Sequence, residues 1–267
     1  MSTFAIGGDR RVGRLGLGAM HLSADRRGHD VARRAVELGV TLIDTAHLYG
    51  GGANEELLAE ALHPYPDDLL ITTKVGVAHT DGQWRLDGRP PVLRDQVDAA
   101  LRRLRVDRLD LLQLHRIDPE TPLADQVGAL AELRAAGKIR HLGLSEVTVG
   151  ELAAAREIVD IASVQNRYNL LDREHEPVLA ACQAAGIAFL PWRPVAAGAF
   201  AENPEIAAVA TETGATPTQV ALAWLLAHSP VMLPIPGTAS LTHLAENVVA
   251  AGLTLTPDQR TRLDRLR

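Results

Sequence analysis

Short runs of β-branched residues and leucine recur along the chain at steady intervals, and each is followed by a stretch rich in Ala, Leu, Arg and Glu. The runs predict strands over 14–18, 41–44, 69–74, 109–114, 141–145, 162–165, 187–191 and 231–234. The stretches between them predict helices over 30–38, 54–62, 91–104, 122–136, 149–158, 174–185, 216–228 and 241–250. Each strand is continuously apolar rather than alternating, so both its faces are expected to be covered, the habit of parallel sheets. Gly39, Gly137 and Gly186 stand where a left-handed residue would end a helix before the next strand. Eight strand-then-helix units predict an α/β fold, a closed (β/α)8 barrel of the TIM type. An open doubly wound sheet is the rival. Against it, Gly16-Leu-Gly18-Ala-Met lacks the third glycine and the helix start of a dinucleotide-binding fingerprint.

Two features lie outside the alternation at the ends. Phe4-Ala-Ile-Gly-Gly-Asp-Arg-Arg-Val predicts an N-terminal β-hairpin turning on Gly7-Gly8-Asp9, expected to plug the barrel bottom. The tail over 256–267 opens on Thr-Pro-Asp-Gln, a helix start, and predicts a short C-terminal helical tail. A third segment, 197–213, also breaks the pattern. The 267 residues match the ~250 that such a barrel takes as one unit, so 1–267 is expected to be a single domain. With so short a tail, an open pocket and small or loosely held substrates are expected.

Net charge of −6 offers no surplus for polyanions, and nucleic acid is not an expected partner. Cys182 is the only cysteine, so no internal disulfide can form; the composition suits a reducing cytoplasm, and the thiol is expected to be a buried helix residue. The N-terminus lacks a signal-peptide layout and no run approaches the ~18 apolar residues of a membrane span, which predicts a cytoplasmic protein away from membranes. A monomer or weak homo-oligomer is expected.

Candidate chemistry sits at the ends of successive predicted strands, which in a barrel face one mouth. Asp44 ends the second, Tyr49 lies in the loop after it, Lys74 ends the third and His115 follows the fourth. Hydride adds to a carbonyl readily only if its oxygen is protonated or polarised as charge develops. A phenol can donate that proton, a neighbouring ammonium lowers its pKa, an acid holds the ammonium charged, and an imidazole grips the oxygen. The remaining histidines are scattered, none paired at metal-ligand spacing, and no metal is expected; His47, between Asp44 and Tyr49, is a candidate pocket residue.

These residues resemble the aldo-keto reductase superfamily, whose members carry an Asp, Tyr, Lys, His tetrad on such a barrel and use a nicotinamide cofactor. The resemblance runs from Leu15-Gly-Leu-Gly-Ala-Met to Pro234-Ile-Pro-Gly-Thr and Glu246-Asn247, with Ile43-Asp-Thr, Tyr49-Gly, Leu112-Gln-Leu-His, Gly143-Leu-Ser and Val164-Gln-Asn as its most specific pieces. It implies Asp44, Tyr49, Lys74 and His115 as the catalytic set. It implies Ser145 and Gln165 as holders of the nicotinamide carboxamide and Trp192 as its stacking face. Glu146 stands where the family has Asn, and Asn166 is the candidate to take up part of that contact. Gly237 and His243 occupy positions where NADPH-preferring members grip the 2′-phosphate with Lys and Arg; Thr238, Ser240 and Arg193 are the candidates to replace them. Glu246 and Asn247 match adenine-binding residues. NADP(H) is the expected cofactor, with NAD(H) left open. Ala61-Leu-His-Pro-Tyr-Pro, Val164-Gln-Asn-Arg-Tyr-Asn and Ala215-Thr-Pro-Thr-Gln-Val-Ala-Leu-Ala-Trp look most like the bacterial pyridoxal reductase (pyridoxine 4-dehydrogenase) branch.

Three functions therefore compete. The first is an NADPH-dependent oxidoreductase acting on a small-molecule carbonyl, an aldehyde or ketone such as pyridoxal, with Tyr49 as general acid. The second is a Schiff-base aldolase-type barrel with Lys74 as nucleophile. The third is a non-catalytic cofactor-sensing subunit.

Overall fold

The computed structural model describes residues 2–80, 83–195 and 199–266. In chain order the strands are β1 (Thr3–Ile6), β2 (Arg10–Gly13), β3 (Leu17–Gly18), β4 (Leu42–Asp44), β5 (Leu70–Val75), β6 (Val77–Thr80), β7 (Gln83–Leu86), β8 (Leu109–Leu114), β9 (Ile139–Ser145), β10 (Ile161–Gln165) and β11 (Ala188–Phe189). The helices are α1 (Arg26–Glu37), α2 (Ala53–Leu62), α3 (Pro90–Leu104), α4 (Leu123–Ala135), α5 (Val149–Arg156), α6 (Glu176–Ala185), α7 (Ala199–Glu202), α8 (Pro204–Thr213), α9 (Pro217–His228), α10 (Leu241–Ala250) and α11 (Pro257–Asp264).

Seven strands form one parallel sheet in the order β11-β10-β9-β8-β5-β4-β3. The expected eighth strand is present but irregular. Met232 bridges Phe189 on one side and Gly237 bridges Gly18 on the other, so the sheet closes on itself as a (β/α)8 barrel. Prolines explain the irregularity. On the β3 side the carbonyls of Pro234 and Pro236 accept from Gly16 and Gly18 at 2.9 and 3.2 Å, yet neither proline has an N–H to return. On the β11 side the parallel ladder is normal: Phe189 N donates to Val231 O and Leu233 N to Phe189 O, both at 2.8 Å.

β1 and β2 form the expected hairpin, pairing Phe4 with Val12, and Gly7 and Gly8 turn it at φ of 62° and 85°. It seals the barrel bottom, as foreseen. Ile6 and Val12 enter the interior beside Leu42, Leu70, Leu111, Ala188 and Leu233. Asp9 bonds Arg140 and His141 at 2.7 and 2.6 Å, and Arg10 bonds Asp110 at 2.9 Å, all at the N-terminal ends of barrel strands. A β-carbon on Gly7 would fall 2.1 Å from the His141 ring, so only glycine fits there.

Helix starts follow their caps: Asp25 for α1, and Thr148, Thr216 and Thr256 with a reciprocal Glu or Gln three residues on for α5, α9 and α11. The segment from Ala197 begins outside the described residues, but beyond it lie α7 and α8, the latter capped by Asn203 and ended by left-handed Gly214. The hairpin β6–β7 was not anticipated. It rises from the C-terminal end of β5, pairs Val77 with Leu86, and leaves β7 exposed. Cys182 is buried in α6, and burial pushes its thiol up to about 12, which keeps it inert. Among the described residues no helix is long and apolar enough to cross a membrane.

Candidate active site

The parallel register brings the four predicted side chains together. Asp44 ends β4, whose pairing with β5 sets Asp44 opposite Thr72, and Lys74 of β5 pairs with Gln113 of β8. Lys74 is wholly buried, and its ammonium donates to Asp44 Oδ2 at 2.7 Å and to the Thr45 carbonyl at 2.8 Å. Two amides hold the other carboxylate oxygen: Gln165 Nε2 at 2.8 Å and Gln113 Nε2 at 3.3 Å. With this many donors the carboxylate is fixed in place. Gln113 also donates to Thr72 Oγ1 at 3.0 Å; it was missed in the sequence, although it is the polar member of Leu112-Gln-Leu-His.

Tyr49 stands over this pair. Lys74 Nζ lies 5.3 Å from the centre of its ring, and the His115 ring meets it edge-on at 6.2 Å. Burial raises the phenol pKa; the charges of Lys74 and Arg116 work against that rise, and Asp44 adds to it. The net direction is upward, whereas the ammonium alone was expected to bring it down. Desolvation outweighs the cation, so the phenol is firmly protonated at neutral pH and Lys74 acts on the phenolate once it forms. For Lys74 itself, burial opposes the charge, but Asp44 and Tyr49 overcome it and the pKa rises.

His115 is neutral. Burial, then Lys74 and Arg116, bring its pKa down to about 2. Its Nδ1 is buried without a hydrogen-bond partner. A buried N–H without an acceptor costs more than an idle lone pair, which assigns the hydrogen to Nε2 and makes that nitrogen a donor.

A second network clamps the loop that carries Tyr49. His47 Nδ1 meets Arg103 Nη2 at 2.7 Å, Arg103 Nε donates to the buried Glu55 at 2.6 Å, and Glu55 accepts from Thr73, next to Lys74, at 2.5 Å. Guanidinium only donates, so Nδ1 of His47 is the acceptor. Burial and Arg103 bring the His47 pKa down to about 4.

The other predicted residues fall into two groups. Ser145 and Gln165 are buried at the adjoining ends of β9 and β10, and Trp192 is half-buried beyond them. Glu146 adopts a left-handed φ of 57°, a conformation that Asn tolerates better than Glu. Its carboxylate accepts from Trp192 Nε1 and, at 2.7 Å, from the Arg167 amide, so it braces the indole. The Asn166 amide is committed elsewhere, to both backbone groups of Val147 at 2.8 and 3.1 Å. Further out, Arg193 is exposed, Gly237 lies on the eighth strand, and Thr238 Oγ1 accepts from Ser240 N at 3.0 Å. Ser240 caps α10, which carries exposed His243, half-buried Glu246 and buried Asn247. The described residues contain no group of three His, Cys, Asp or Glu side chains able to hold a metal ion.

A buried acid–ammonium pair thus lies beneath a phenol, with a neutral imidazole edge-on to it. The sequence model of the Aldo/keto reductase family matches residues 14–267. The chain belongs to the aldo/keto reductase family. It is 39% identical to the pyridoxine 4-dehydrogenase of Escherichia coli, over 98% of this chain and 97% of that protein. A Schizosaccharomyces pombe protein described as an uncharacterized oxidoreductase is 44% identical over 96% of this chain and 87% of its own length. Among solved structures, an aldo-keto reductase from Klebsiella pneumoniae in complex with NADPH superposes with a TM-score of 0.88 at 30% identity, covering 99% of this chain and 94% of that one.

Proposed function

We propose that this aldo/keto reductase is an NADP(H)-dependent carbonyl reductase that converts an aldehyde or ketone to an alcohol with Tyr49 as general acid. The observation that carries the reading is the stacking of charge under the phenol, with the Asp44–Lys74 bond of 2.7 Å directly below Tyr49. Ser145, Gln165 and Trp192 are suited to a nicotinamide: two buried polar groups stand at adjoining strand ends, with a half-buried indole face beyond them. When bound, the cofactor supplies the hydride. The Nε2–H of His115 hydrogen-bonds the carbonyl oxygen and orients it; as negative charge grows there, Tyr49 passes its proton to that oxygen. Lys74 stabilises the phenolate left behind, and Asp44 keeps Lys74 charged and aimed. Pyridoxal is a first aldehyde to assay, given the similarity to pyridoxine 4-dehydrogenase.

The Schiff-base alternative fares poorly. It needs Lys74 neutral, whereas Asp44 beside it holds the proton on. The deciding experiment is Tyr49→Phe, followed by loss of NADPH absorbance with an aldehyde panel and by cofactor titration. Turnover should fall about 10²–10⁴-fold, the usual worth of a general acid, with the cofactor Kd unchanged. Turnover near wild type would take Tyr49 out of this role.

A further inference from the structure

Arg116 is a charged side chain at the mouth for which the proton chemistry has no use. It follows β8 immediately after His115, and its guanidinium is half-buried. One nitrogen, Nη1, donates to the His115 carbonyl at 2.6 Å and to Ser145 Oγ at 3.0 Å. A guanidinium carries five N–H groups; those on Nε and Nη2 meet no acceptor among the described residues. Neither nitrogen is among the sealed unpartnered atoms, so both keep some exposure to solvent.

No carboxylate among the described residues pairs with Arg116. Glu146 is the acid that acts on it, but the two form no ion pair, and Glu146 Oε1 is held by Trp192 and the Arg167 amide. Lys74, by contrast, has Asp44 in contact. Burial lowers the Arg116 pKa, with Glu146 and Tyr49 pulling the other way. Arginine cannot relieve such a position by losing its proton. Its bond to the His115 carbonyl ties it to the residue that would grip a carbonyl oxygen, and its charge reaches the Tyr49 phenol. The open edge, Nε with Nη2, is the planar pair that matches the two oxygens of a carboxylate or phosphate.

We infer that Arg116 is a specificity residue whose free edge binds an oxyanion on the carbonyl substrate, so that the pocket favours aldehydes carrying a carboxylate or phosphate. This rests on the carbonyl-reductase reading and names its substrate class. It also gives Ser145 a direction: its oxygen accepts from Arg116, which leaves its own hydrogen to donate elsewhere.

The test compares charged and neutral partners of similar shape: 4-carboxybenzaldehyde with its methyl ester, and glyceraldehyde 3-phosphate with glyceraldehyde. Wild type, Arg116→Lys and Arg116→Met are assayed for turnover with NADPH and, by calorimetry with NADP⁺ bound, for aldehyde affinity. Wild type should bind the charged member of at least one pair about tenfold more tightly, a modest estimate for hydrogen bonds to a charged group. Arg116→Met should erase that preference while the neutral member shifts less than about twofold, which also reports an intact fold; Arg116→Lys should keep part of it. The pair that discriminates tells carboxylate from phosphate. Equal affinity for both members of both pairs in wild type overturns the inference, as does an Arg116→Met variant that weakens charged and neutral members alike. Calorimetric discrimination without any NADPH consumption would instead retain the anion site and reject the reductase reading.

Discussion

The two sides of the barrel mouth are built differently. On the side of β4, β5 and β8 the strands pair in unbroken parallel register, and Asp44, Lys74 and Gln113 are nearly or wholly sealed from solvent. On the opposite side β11 is two residues long, the eighth strand is interrupted by Pro234 and Pro236, and Arg193 and His243 are exposed. Proton transfer tolerates little error in distance, and electrostatic control is strongest where water is absent. Regular ladders and burial supply both. A long dinucleotide asks less: it needs a lined surface with backbone groups and helix ends along it, which loops provide.

If that contrast is sound, the largest effects belong to the first side. Asp44→Ala leaves Lys74 buried with no counter-ion, a change expected to cost about 3–5 kcal/mol of stability, and turnover should be lost with it. Urea unfolding and NADPH-linked assay check both, and a variant as stable as wild type would mean that water reaches Lys74. Next comes Arg103→Met, which strands the fully buried Glu55 and releases His47 from its clamp. About 1–3 kcal/mol of stability should go, the penalty of an unsatisfied buried group, together with some turnover as the Tyr49 loop loosens. A variant that loses stability but keeps full turnover would show that the clamp serves the fold alone.

The same contrast explains what could be seen in advance. Asp44, Lys74 and His115 were legible because each closes an apolar run, and a strand end in a barrel has one destination; Tyr49 was legible from the loop that follows Asp44. The N-terminal plug was legible from Gly7-Gly8 between short apolar stretches. The eighth strand was placed correctly but not its broken ladder, which depends on which flank the two proline nitrogens face. β6–β7 went unnoticed despite Asp81-Gly82, a strong hairpin dipeptide between alternating residues. The direction of the Tyr49 pKa was not legible at all, since it turns on the balance of desolvation against Lys74, and burial depth is set by packing from distant segments.

That balance predicts a pH profile. A general acid works while protonated, and Tyr49 has its pKa raised above the ordinary phenol value, so the reduction rate should show no loss from this group through about pH 9. His115, with a pKa near 2, is already neutral at the acid end and should add no limb around pH 6.5, where an unperturbed imidazole titrates. A kcat profile between about pH 6 and 9 tests both groups together. A bend near 6.5 that disappears in His115→Asn would show an imidazole in contact with solvent, and the two sides of the mouth would then be less distinct.

The smallest effect is expected on the open side. His243→Arg puts a permanent cation on the first turn of α10, near the capping Ser240, and has room to move because the site is exposed. If the 2′-phosphate lies there, the preference for NADPH over NADH should rise about fivefold, the scale of an exposed ion pair worth up to about 1 kcal/mol. Gly237→Lys should gain less from the same charge. Its β-carbon would come 3.2 Å from the Gly18 carbonyl and 3.3 Å from the His21 ring, where the eighth strand bridges β3 and closes the barrel. Part of any gain in affinity would go into spreading that junction. Matched NADPH and NADH titrations of the two variants separate charge from fit: a preference that His243→Arg leaves untouched would move the phosphate away from α10 and place the burden of binding on another part of the rim.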